Sequence, residues 1–168
     1  MAKVWIVLVI LVHGSISCST GNQTAPSLPA STPEPVPVAI SLKQVVDAFN
    51  AAGLPMHKQV VYDERTDPNE LLGRPGRYVE KMNFTDKRIK EKFKPLNKEM
   101  EAANLNCSIE IFKERADAET RHQYLEAIGK PSGMFDSYKF LHKNVLVRID
   151  LKLIPLEADE YKRVLESL

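Results

Sequence analysis

The sequence predicts an α+β fold: a small two-layer sandwich, with a four- or five-stranded, mostly antiparallel sheet and about three helices on one face. Three observations predict it. Helix signals begin at Ser41, at Asp117 and at Pro155, and strand patterns fill the chain between them. The strand patterns follow one another without crossover helices, which pairs them antiparallel. The resulting order, α-β-β-β-α-β(β)-α, belongs to folds whose helices gather on one side of a sheet.

The first helix is predicted over 42–52. Ser41 with Gln44 three residues later makes a capping box, and Ile40 can pack on Val45 as a hydrophobic staple. Leu42, Val45, Val46 and Phe49 form the inner stripe, and Gly53 with Pro55 ends it. Residues 58–63, with Val60, Val61 and Tyr62, read as a strand. Asp67 before Pro68 can cap one short helical turn closed by Gly73, and Pro75-Gly76 makes a second turn. Residues 77–84 alternate as a strand, placing Tyr78, Glu80, Met82 and Phe84 on one face. The stretch 85–106 reads as a surface excursion with room for a short helix over 95–103. Next come a strand over 108–113, with Ile109, Ile111 and Phe112, and a helix over 117–128. That helix is expected to bury Ala118, Tyr124, Leu125 and Ile128 and to end at Gly129 and Pro131. Residues 138–150 are long enough for a bent strand or a hairpin, with Lys143-Asn144 as the turn. Pro155 opens a last helix with Ala158, Tyr161, Val164 and Leu165 inward.

Three segments precede or make up this domain. Residues 1–17 read as an export signal: Lys3, the apolar run Val4–Val12, then small residues before Cys18. The run is too short to span a bilayer as a helix, which takes about 20 residues. Residues 18–37 are mostly Ser, Thr, Pro, Ala, Gly and Asn, with Pro26, Pro29, Pro33, Pro35 and Pro37 among them. Such a composition cannot bury enough apolar surface to offset its ordering entropy, so it reads as a solvated linker. The single α+β domain is expected over 38–168.

Two processing routes are open. A general signal peptidase can cut before Cys18, or Gly14–Cys18 can serve as a lipobox whose cysteine is acylated, although Ser15 stands where leucine is usual. A flexible spacer directly after a cysteine is what a lipid-tethered domain needs, which favours Cys18 as a lipid anchor to the cell membrane. Cys107 is then a lone thiol, expected to be a buried small hydrophobe; the alternative is a Cys18–Cys107 disulfide in an oxidising compartment.

Several blocks resemble a group of small bacterial lipoproteins with no assigned activity. The blocks are Asp67-Pro68-Asn69-Glu70-Leu71-Leu72-Gly73-Arg74-Pro75-Gly76-Arg77-Tyr78, then Ile109-Glu110-Ile111-Phe112, then His142-Lys143-Asn144-Val145-Leu146-Val147-Arg148. Those proteins are similar in layout, with a lipobox, a Ser/Thr/Pro stalk and a domain built around a DPN-x-LLGRP-x-x-Y segment. The resemblance covers 41–168 and is specific in the first block. Their last helix usually starts Thr-Pro or Ser-Pro, where this chain has Ile154-Pro155. The resemblance implies export and domain extent, and no catalytic residue.

The residues themselves point to binding rather than to chemistry. Twenty-three basic and 22 acidic side chains leave a net charge of +1, which argues against bulk nucleic-acid binding. No GxSxG, SxxK or HExxH pattern occurs, and the histidines lack metal-ligand spacing, so no metal, no cofactor and no catalytic residue is expected. Asp63, Glu64 and Asp67 share one loop and are expected to be solvated. The sharpest candidate site is the turn with Arg74, Arg77 and Tyr78. Its guanidinium forks suit carboxylate or phosphate groups, and its tyrosine gives a rigid contact surface. The plainer reading makes it a strand-entry turn whose arginines pair with Asp63, Glu64 or Asp67. Lys87, Arg88, Lys90, Lys92 and Lys94 are candidates for contact with an anionic membrane surface, or else a solvated face. The function expected is a membrane-tethered extracytoplasmic binding module for an envelope protein or a small anionic ligand. An envelope hydrolase with dispersed residues, or a secreted effector or inhibitor, is the alternative.

Overall fold

The computed structural model describes residues 39–90, 105–132 and 136–168. Five strands, β1 (Met56–Val61), β2 (Tyr78–Asp86), β3 (Cys107–Phe112), β4 (Ser137–His142) and β5 (Val145–Asp150), form one antiparallel sheet in the order β1-β2-β3-β5-β4. The described helices are α1 (Leu42–Ala51), α2 (Arg115–Ser132) and α3 (Pro155–Glu166). The α+β class, the antiparallel sheet and the hairpin at Lys143-Asn144 are as the sequence predicts.

The helices are shared between the two faces of the sheet. Helices α1 and α3 pack on Met82, Phe84, Cys107, Ile109, Ile111, Val145, Val147 and Ile149, and Phe49 meets Tyr161 edge-on at 5.3 Å. Helix α2 lies on the other side, where Ala118 and Leu125 join Tyr78, Phe112 and Leu146. The physical reason lies in the central strands. Val145, Leu146 and Val147 are all fully buried, and a strand buried on both faces needs cover on both. The expectation of helices on one face is therefore replaced by helices on two.

A bulge in β2 accounts for a second difference. Tyr78 pairs with Phe112, but Glu80 pairs with Ile111, so Val79 is extra and stands exposed. The extra residue turns Tyr78 toward α2, while Met82 and Phe84 face α1 and α3. Tyr78 thus does not share a face with Met82 and Phe84. Glu80 is left beside the start of α1, where its carboxylate accepts the Leu42 N–H at 2.8 Å. A negative charge is favourable there, next to the unpaired N–H groups of a helix start.

Helix α2 runs to Ser132, beyond the Gly129-Pro131 stop the sequence suggests. Gly129 is a place of close approach: a Cβ there would come within 3.4 Å of the Asp136 carboxylate and the Lys139 ammonium. Its inner stripe also differs. Tyr124 is half exposed, and Arg121 takes the inward place between Ala118 and Leu125. At the start of the domain, Asn144 accepts the Ile40 N–H and donates to the Ile40 and Phe112 carbonyls, all at 2.9 Å. These bonds tie the residues before α1 to the β3 end and the β4–β5 turn, and the Ser41–Gln44 capping box starts the helix.

Candidate functional site

The loop between β1 and β2 carries the segment that the sequence singles out, and it is built on a buried acid. Asp67 is 3% exposed. Its Oδ2 accepts the Tyr78 hydroxyl at 2.6 Å and the N–H groups of Leu71 and Leu72 at 2.9 and 3.1 Å. Its Oδ1 accepts the Lys81 ammonium at 2.7 Å and the Asn69 N–H at 3.3 Å. Burial works to raise its pKa, but the bonds from Lys81 and Tyr78, the Leu71 N–H and the Lys81 charge outweigh that. Its carboxyl is held well below the usual range. Asp67 is thus no solvated loop acid; it is the anchor on which the loop is hung.

Around it the backbone takes paths that favour glycine. Gly73 and Gly76 have φ of +78° and +68°. At Gly73 space matters as well, because a Cβ would lie 2.4 Å from the Glu64 carboxylate oxygen. Asp63 closes the other end of the loop, its Oδ1 accepting the Arg65 and Thr66 N–H groups and the Thr66 hydroxyl. Those hydrogen bonds lower the Asp63 pKa. Between the two ends lies an open hollow of about 360 Å³, lined by Glu64, Arg65, Glu70, Leu72, Gly73 and Arg74.

The arginines around this hollow are loosely held. Arg74 is 3.7 Å from Glu70, Arg65 is 3.8 Å from Asp63, and both pairs are solvent-exposed. Exposed pairs of this kind contribute only about 0–1 kcal/mol, so the guanidiniums can exchange them for an incoming anion. Arg77 is exposed too. Tyr78 requires a correction as a contact residue. It is fully buried, its ring 6.1 Å from Phe112 and its hydroxyl committed to Asp67. Burial and the Asp67 bond push its pKa well above the ordinary value, so it stays a neutral donor.

Under the loop runs a charged network that the sequence reading missed. Glu110 on β3 and Lys81 on β2 are cross-strand neighbours, both buried. Arg121 of α2 grips Glu110 through Nε at 3.0 Å and Nη2 at 3.2 Å, and Arg148 of β5 adds a contact at 3.7 Å. The Lys81 ammonium also lies 5.2 Å from the ring centres of both Tyr62 and Tyr78. A signal was present: Glu110 stands between Ile109 and Ile111, and Lys81 beside Met82, in strands too apolar to be half solvated.

The lysine-rich segment divides. Lys87 and Lys90 are exposed, and Lys92, Lys94 and Cys18 lie outside the described residues. Arg88 is withdrawn from any membrane-contact role. It bonds Asp86 through Nε and Nη2 at 3.0 and 2.8 Å and Glu160 at 2.7 Å, which locks the β2 end to α3. Tyr161 completes that cluster with a 2.7 Å bond to Asp86. Cys107 is a free thiol, fully buried, and burial pushes its pKa up to about 12.

The fold and site therefore define an α+β domain with a five-stranded sheet, helices on both faces and a charge-rimmed loop at one end. Comparison with protein-family models, with curated proteins and with solved structures finds no match. Among the described residues, no cluster of three or more His, Cys, Asp or Glu side chains is placed to hold a metal ion. No described helix is long and apolar enough to cross a membrane.

Proposed function

We propose that the chain is a membrane-tethered extracytoplasmic lipoprotein whose folded domain is a binding module. The observation that carries this is the contrast between its two cysteines. Cys18 stands between an apolar leader and a proline-rich linker, while Cys107 is sealed in the core with a thiol too weakly acidic to react. Cys18 is thus the cysteine available for a lipid. The binding surface is the loop hollow, where Arg65 and Arg74, with Arg77 nearby, can meet a carboxylate or phosphate group on an envelope protein or small ligand. The buried Asp67 anchor supports this reading, since it holds the loop backbone fixed while Arg65 and Arg74 sit at the rim in loose, exposed pairs.

The test is mass spectrometry of the mature protein from the membrane fraction. Diacylglyceryl on Cys18 is the expected result, with Cys18→Ala releasing the chain from the membrane. A free amino group at or near Cys18 in the wild type overturns the tether. Independently, Arg74→Ala with Arg77→Ala is expected to abolish recovery of any partner that wild type captures reproducibly. Equal recovery removes the loop as the site.

A further inference from the structure

A second hollow, of about 440 Å³, lies at the other end of β1 and is lined by His57, Lys58, Thr85, Asp86, Lys87 and Ile89. Along the chain, residues 59–63 separate its lining from that of the arginine loop. Its electrostatics differ from those of the first hollow. The first is lined by two arginines and two glutamates. Among the described residues that line the second, one is a carboxylate, Asp86, and that group is already spent. Its oxygens accept the Arg88 guanidinium, the Arg88 N–H and the Tyr161 hydroxyl. The other described residues of the lining are cationic or neutral.

Three observations make this a built site and not only a patch of lysines. First, β1 is irregular here: its register shifts between His57 and Val60, and Lys58 has φ of +48°. A non-glycine residue in the left-handed region, beside a shift in register, is a local strain that functional sites commonly hold. Second, Thr85 lines the hollow, the residue as a whole being 5% exposed. A hydroxyl on the lining can donate to an oxygen of a bound ligand. Third, the floor is rigid. The Lys87 N–H bonds the Pro55 carbonyl at 2.9 Å, and Arg88 ties the same turn to α3. Lys58 also lines the hollow but has an interaction of its own, so the site rests on His57, Thr85 and Lys87.

We propose that this hollow binds a phosphate group, with His57, Lys87 and the Thr85 hydroxyl as its donors. Donors from three side chains suit an anion with several oxygens better than a flat carboxylate. Ile89 on the lining gives the organic part of a phosphate ester an apolar contact. The site is independent of the loop hollow and of the lipid anchor. The phosphate can belong to a soluble ester or to a lipid headgroup, and the test separates the two.

The experiment titrates the full chain with glycerol phosphate and follows the backbone amide signals. Saturable shifts at 57, 85 and 87 are expected. Lys87→Ala and His57→Ala should each weaken binding about tenfold, as loss of a charge-assisted hydrogen bond does. Thr85→Val, which keeps shape and removes only the hydroxyl, should weaken it by a few-fold. Lys43→Ala, an exposed lysine on α1, should change nothing; an equal loss there overturns the site, as does displacement by a glutamate-rich peptide. Unsaturable shifts spread over all exposed lysines overturn it too. Circular dichroism of each variant separates lost binding from lost folding. Capture of the Cys18→Ala chain by phosphatidylglycerol vesicles, reversed by glycerol phosphate, assigns the headgroup; binding of glycerol phosphate without vesicle capture assigns a soluble ester.

Discussion

The two faces of the sheet solve the same burial problem in different ways. The face under α1 and α3 is filled by aliphatic side chains and the Phe49, Phe84 and Tyr161 rings, with the Asp86–Arg88 pair at the β2 end. The face under α2 and the β1–β2 loop buries Lys81, Asp67, Glu110 and Arg121 among Tyr78, Phe112 and Leu146. An apolar contact fails gradually, losing transfer free energy and leaving a cavity. A buried ion pair fails abruptly, because removing one partner strands the other charge away from water. The α2 face should therefore be the more brittle under single substitutions and the more forgiving under paired ones.

The largest expected effect is at Lys81. Lys81→Met leaves the Asp67 carboxylate buried and uncompensated, and should cost about 3–5 kcal/mol in urea unfolding. Adding Asp67→Asn removes the stranded charge while keeping one amide oxygen to accept the Leu71 and Leu72 N–H groups, so the double variant should recover much of that loss. Phe49→Ala on the opposite face should cost a similar amount, about 3–5 kcal/mol. No second substitution at a neighbouring charge should rescue it. Simple additivity at Lys81 and Asp67 would erase the contrast between the faces. Arg121→Met comes next. Glu110 keeps only the longer contact from Arg148, so a loss of about 2–3 kcal/mol is expected, smaller than at Lys81 because one cation remains.

The dependence on pH follows the same division. Asp67 has a depressed pKa in the folded state. Its contribution is complete above the unfolded carboxylate value, about 4, and is lost as pH falls through the folded value. Lys81→Met/Asp67→Asn should thus lose less stability than wild type on acidification below about pH 4. His142 gives a milder effect at higher pH. Burial and the Lys143 charge lower its pKa from 6.5, so the unfolded chain binds its proton more readily. Stability should decline as pH drops below about 6.5, and His142→Gln should flatten that part of a denaturation-versus-pH series.

How much of this could be read in the chain depended on whether a pattern was local. The α1 capping box, the Lys143-Asn144 hairpin and the inward Ala158, Tyr161 and Leu165 are written within a few residues each, and each is found. The side of the sheet that α2 covers is set by strands distant in sequence. So is the partner that lets Arg121 face inward, Glu110, eleven residues away on β3. The β2 bulge is a third case: alternation places Tyr78 with Met82, and a single extra residue, Val79, reverses it. The candidate site was legible as a segment but not as a surface. Gly73, Arg74 and Gly76 stood out in sequence, whereas the burial of Asp67 and Tyr78 needed Lys81 across the loop.

The smallest expected effect tests the α2 stripe itself. Helical spacing alone allows either Tyr124 or Arg121 inside, and an aromatic ring is the ordinary choice. The structure leaves Tyr124 half exposed, with the Arg121 guanidinium 5.7 Å from its ring centre. Tyr124→Ala should then cost only about 0.5–1 kcal/mol, the worth of an exposed cation–π contact. Leu125→Ala, one position on and buried, should cost about 2–5 kcal/mol. A Tyr124 loss as large as the Leu125 loss would put the ring inside and Arg121 outside. Glu110 would then be without its bidentate partner, and the charged face beneath the loop would have to be redrawn.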